Sequence, residues 1–142
     1  AARKAGKPLI IHARDAESAA LEILKEEKAG DLGFVMHCFC GTLETAEGVV
    51  AAGGHVSFTG NLTFKKNEML REIAGKIPLD RLLIETDSPY MAPVPFRGKR
   101  CEPVYSREVA RAIAAAKGLD FDEVLLATAR NTVKLFRLPI AL

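Results

Sequence analysis

Three side chains able to bind a metal stand where short apolar runs end. His12 follows Pro8-Leu9-Ile10-Ile11, His37 follows Gly33-Phe34-Val35-Met36, and Asp87 comes shortly after Leu82-Leu83-Ile84. Imidazole and carboxylate donors suit zinc, manganese and other borderline divalent ions, and open coordination positions leave water to be activated. Glu85 lies two residues before Asp87, on the same face if the strand stays regular. Asp87, nearer the mouth, is the expected ligand or base. Glu85 either orients a ligand from behind or forms a buried salt bridge with Arg14. About a dozen residues on, Arg97, Lys99 and Arg100 form a basic loop framed by Pro93, Pro95 and Pro103, which limit its freedom. Charged loops are usually just solvated. A stiff one beside an acidic strand end favours phosphate, to which arginine presents a bidentate fork.

These groups converge only if their strands are parallel neighbours, and the rest of the pattern says that they are. The three runs, with His55-Val56-Ser57-Phe58, make four strands, each expected to be buried. They alternate with helical stretches at about 16–27, 42–52 and 67–76, and two more helices follow at about 104–117 and 122–136. Asp15 is the expected cap of the first of these, Thr42 or Thr45 of the second, and Asp120 or Asp122 of the last. Such alternation is the signature of βαβ units in an α/β fold with a parallel sheet. In that class the carboxyl ends of all strands share one crevice, where the chemistry sits. His55 begins its strand, so it belongs to the opposite end and is not expected as a ligand. Cys38 and Cys40 flank Phe39 beside His37; packed small thiols are the expectation, soft ligands the alternative.

At 142 residues the chain is expected to be one domain, 1–142, large enough for a real core. A formal charge of +2 is too small to argue for nucleic acid by itself, so only local clustering of charge can. No apolar run approaches the ~20 residues of a membrane span, and the start lacks the form of a signal peptide, so a cytoplasmic protein is expected. Three cysteines without CxxC spacing fit reduced thiols. Residues 1–6 read as the last turn of a helix stopped by Gly6.

The motifs PLIIHARDA (8–16), HCFCG (37–41), GGHVSFTG (53–60) and IPLDRLLIETDSPYMAPVPFRGKRCEP (77–103) resemble the TatD family of metal-dependent deoxyribonucleases. The resemblance covers essentially the whole chain, and IETDSPY with RGKR is its most specific part. It implies a partial (β/α)8 TIM barrel: about four parallel strands alternating with helices, plus two C-terminal helices, corresponding to strands five to eight. The family's HxH pair and bridging glutamate have no counterpart here. The resemblance further implies a two-metal centre of magnesium, manganese or zinc, with His12 and His37 on one ion and Asp87 on the other. Asp87 and Glu85 would serve catalysis on DNA phosphodiesters, and Arg14, Arg97, Lys99 and Arg100 would meet the phosphate backbone. Cys40 stands where the family usually has serine, and Phe96 and Cys101 where histidine and asparagine are common. Half a ligand set implies weak or absent activity alone. Two other expectations stand beside this one: a non-catalytic half-barrel that covers its open edges as a homodimer, and a barrel amidohydrolase acting on another substrate.

Overall fold

The computed structural model describes residues 1–141. In chain order the elements are α1 (Ala2–Ala5), β1 (Leu9–His12), α2 (Glu17–Glu26), β2 (Phe34–His37), α3 (Leu43–Ala51), β3 (His55–Phe58), α4 (Glu68–Lys76), β4 (Leu82–Ile84), α5 (Ser106–Lys117) and α6 (Phe121–Phe136). The strands pair in parallel in the order β1-β2-β3-β4.

Strand alternation sorts the sheet into two faces. On one, Phe34, Met36, Val56, Phe58 and Leu82 pack against Leu21 and Leu24 of α2, Val49 of α3, Ile73 of α4, Val109 and Ile113 of α5 and Val124 of α6. This is the main core, and each such side chain taken from water contributes about 1.5–3 kcal/mol. The other face carries Ile10, Val35 and Leu83, and there Val35 and Leu83 meet Leu135 and Phe136 at the end of α6. Ile10 is 63% exposed, so β1 is half-buried, against the expectation of a strand buried on both faces. The reason is positional: β1 is an edge strand and α6 reaches only the β2–β4 side of this face.

The helix boundaries follow local chemistry. Gly6 takes the left-handed conformation (φ 61°) that stops α1. Thr42 caps α3 by accepting from the Thr45 N–H at 3.3 Å, and Asp120 caps α6 by accepting from Asp122 N–H at 2.8 Å. Asp15 does not cap α2, contrary to expectation. It sits at φ 57°, a left-handed turn that aspartate tolerates, and Ala16 occupies the cap position. A 3-10 turn, Pro103–Tyr105, takes the start expected of the fifth helix. Buried Asn131 of α6 donates to the Leu79 and Leu82 carbonyl oxygens, both at 2.8 Å, and so fixes the entry to β4.

The long irregular segment after β4 is held by the turn at Gly60–Thr63. A Cβ on Gly60 would lie 2.1 Å from the Met91 carbonyl oxygen, so only glycine permits this approach. Val94 N–H donates to Thr63 Oγ1 at 2.9 Å, Cys101 N–H donates to the Pro89 carbonyl at 2.9 Å, and the Phe96 and Tyr105 rings stack with centroids 4.0 Å apart.

Candidate metal centre

The parallel register places His12 directly opposite His37, with ring centroids 5.7 Å apart. Both point to the face that carries Ile10 and Val35, at the carboxyl ends of their strands, because each lies two residues beyond one of those. Ser57 on β3 and Glu85 just past β4 complete that face.

Glu85 is the hub. Its Oε2 lies 2.6 Å from His37 Nδ1, and its Oε1 accepts from the Cys38 N–H at 2.8 Å and from the Ser57 hydroxyl. A carboxylate only accepts, so Nδ1 is the donor and His37 is fixed in orientation. The opposite ring nitrogen, Nε2, faces Asp87 Oδ1 at 3.3 Å. The three side chains are only 23%, 26% and 25% exposed for His37, Glu85 and Asp87, which strengthens the hydrogen bond from His37 Nδ1 to the Glu85 carboxylate. Of the two expectations for Glu85, the one in which it orients a ligand matches these contacts. Arg14 is exposed and is not among Glu85's partners.

His12 is exposed beside His37, and among the described residues no group of three or more His, Cys, Asp or Glu side chains closes into a metal cage. The structure thus joins His37, Glu85 and Asp87 in direct contact and sets His12 next to them as an open neighbour. The basic residues divide. Arg97 lays its guanidinium 3.7 Å from the Phe64 ring centroid and reaches the Ala92 carbonyl at 3.5 Å. Lys99 and Arg100 are exposed and form no ion pair among the described residues. His55 lies at the far end of the sheet, buried, in a cleft of about 190 Å³ with Asp80, Arg81 and Lys134. Burial, then the Arg81 charge, lowers its pKa below the usual histidine value.

Cys40 is exposed and Cys38 half-buried, which corrects the expectation of two packed thiols. Phe39 between them takes the buried position instead, edge-on to Phe58. Hydrogen bonding from Cys38, aided by Asn61 and the Arg14 charge, lowers the Cys40 pKa to about 7, while the same contact and burial push Cys38 up.

Sequence reasoning missed Ser57, Asn61 and Arg71. Ser57 was signalled by alternation, as the polar residue on the face of β3 opposite Val56 and Phe58. Arg71 gave no signal: it donates to the Leu62, Phe64 and Lys65 carbonyls and holds the turn on which Arg97 rests.

The family model described as TatD related DNase matches residues 1–137. The chain belongs to the TatD family. A relative from Escherichia coli K12, named uncharacterized metal-dependent hydrolase YcfH, is 47% identical over 136 residues, covering 96% of this chain and 51% of that protein. A relative from Erwinia billingiae, named 3'-5' ssDNA/RNA exonuclease TatD, is 36% identical over 137 residues, covering 93% of this chain and 52% of its own length. The crystal structure of the TatD homolog YJJV from Escherichia coli K12 superposes with a TM-score of 0.89 at 30% identity, over 97% of this chain and 53% of that one. This TatD chain therefore spans about half the length of the relatives it matches, and its four strands are part of the family's barrel.

The donor set of the TatD chain fits a divalent cation. A histidine whose Nδ1 is tied to a carboxylate presents Nε2 as a ligand, the usual arrangement behind metal-binding imidazoles. Asp87 offers an oxygen and His12 a nitrogen atom beside it.

Proposed function

We propose that this chain carries the strand-end half of a metal-dependent hydrolase site that cleaves phosphodiester bonds in DNA. The observation that carries the reading is the carboxylate–histidine–carboxylate chain Glu85–His37–Asp87 at the carboxyl end of a parallel sheet. His12, His37 and Asp87 would hold the metal, be it magnesium, manganese or zinc. When bound, the cation supplies Lewis acidity toward a phosphoryl oxygen and toward water. Glu85 keeps the His37 ring in place through Nδ1. The Asp87 carboxylate, at the mouth, orients the attacking water and accepts its proton. Lys99, Arg100 and Arg14, all exposed, are available to phosphates of a bound strand, whereas Arg97 stiffens the loop through Phe64. The name of the Erwinia billingiae relative, an exonuclease on single-stranded DNA and RNA, supports this substrate class and an exonucleolytic mode.

The test is manganese-dependent degradation of single-stranded DNA by three proteins: this chain, its Asp87→Ala variant, and the chain extended by the amino-terminal half of YcfH. Activity of the extended protein that falls by about 10³-fold with Asp87→Ala supports the reading. An extended, folded protein that binds manganese and leaves DNA intact overturns it in favour of an amidohydrolase.

A second reading concerns this chain alone. Ile10 is exposed on the β1 edge of the sheet, and beside β4, at the opposite edge, an apolar groove runs along Ile84, Leu125, Ala129, Val133 and Ile140. We propose that a second copy covers these two edges. Light scattering that gives the monomer mass at about 100 μM removes that proposal.

A further inference from the structure

The Cys38 and Cys40 thiols take no part in the chemistry above, yet they share one hydrogen-bond donor. Cys38 has a left-handed backbone (φ 48°), so the chain bends sharply between them. The Asn61 amide nitrogen serves both sulfurs, 3.2 Å from Cys40 Sγ and 3.9 Å from Cys38 Sγ. Thr59 Oγ1 lies 3.3 Å from Cys38 Sγ, and Cys40 Sγ donates to the Cys38 carbonyl oxygen at 3.3 Å. Cys40 is exposed, Cys38 stands half-buried behind it, and the third cysteine, Cys101, is buried elsewhere.

An accessible sulfur with a second thiol two residues away, sharing one amide donor, is the arrangement of a peroxide-sensitive pair. We infer that Cys38 and Cys40 form an oxidisable dithiol that a peroxide converts into an intramolecular disulfide. The Cys40 thiolate attacks one peroxide oxygen; an S–O bond forms, the O–O bond breaks, and hydroxide leaves and is protonated to water. Cys38 Sγ then attacks Cys40 Sγ and displaces the oxygen, which takes the Cys38 proton and departs as a second water. Two thiols are oxidised by two electrons in all, and one peroxide is reduced. Cys38 also donates its N–H to Glu85, so closing the ring bears on the carboxylate that orients His37.

The experiment exposes the reduced chain to hydrogen peroxide, quenches with N-ethylmaleimide, and reads intact mass and peptide map. Two of the three thiols should disappear together, with the loss of two hydrogen atoms. The map should join Cys38 to Cys40, and dithiothreitol should reverse the change. Cys101→Ser should leave the reaction intact. Cys40→Ser should slow thiol loss about tenfold. The inference is overturned by a link that includes Cys101, by disulfide-joined dimers, or by Cys40 sulfinic acid without a link. It is also overturned if Cys40→Ser loses thiol at the parent rate, or if the parent stays reduced under peroxide that oxidises glutathione. None of these readouts depends on nuclease activity.

Discussion

Replacing Glu85 with glutamine tests the centre without removing a ligand. The amide oxygen can still accept from Cys38 N–H and the Ser57 hydroxyl, but the amide nitrogen then faces the donor Nδ1 of His37. One charge-assisted hydrogen bond is lost, of a kind that contributes about 1.5–3 kcal/mol. At 23% exposure His37 is partly re-satisfied by water, which places the loss toward the lower end, about 1.5–2 kcal/mol. For a chain of this length that lowers Tm by about 5–7 °C. A double-mutant cycle with His37→Ala assigns the energy to the pair. Calorimetric titration with manganese or zinc should show affinity about 10–100-fold weaker, because the imidazole is no longer held. Denaturant curves that agree within ~0.5 kcal/mol, together with unchanged metal affinity, refute the argument that Glu85 organises His37.

Two further perturbations address the scaffold. Asn131→Ala strips the donors from two carbonyls beside β4 and should destabilise the chain by about 2–3 kcal/mol in urea melts; a shift below ~1 kcal/mol denies the clamp. His55 titrates near 6.5 when unfolded but lower when folded, because burial and the Arg81 and Lys134 charges oppose protonation while Asp80 favours it. The folded state thus binds fewer protons than the unfolded state in that window. Stability should fall as pH drops below about 6.5, until the folded pKa is passed. His55→Gln should flatten this slope, and equal slopes in the two proteins would remove His55 as its source.

Much of the scaffold was legible because strand alternation and strand-end position are local properties. His12, His37 and the Glu85–Asp87 pair could be placed on one crevice from the lengths of the apolar runs alone, and His55 could be sent to the other end. What escaped depends on distant chain. Arg97 looked free until the Phe64 ring, brought in by the turn after β3, took its charge. Ile10 reads as core by its type, but its burial depends on what covers an edge strand. Asp15 and Cys38 occupy left-handed turns that no residue-type preference announces strongly. Glu85 had two credible partners in the sequence, and only the register of β2 against β3 and β4 gave it His37 and Ser57 rather than Arg14.

The consecutive strand order has a kinetic consequence. Each strand lies beside the one made just before it, so the sheet can grow in the order of synthesis, without holding a gap for a later strand. Each helix closes only a short loop as it docks, and loop-closure entropy stays small. The exception is α6 and the turn after it. Asn131 reaches back to the entry of β4, and Arg137 donates to the Gly6 carbonyl at 3.0 Å, across 131 residues of chain. Among these contacts, docking of α6 is therefore the step that must close the longest loop before it gains its hydrogen bonds.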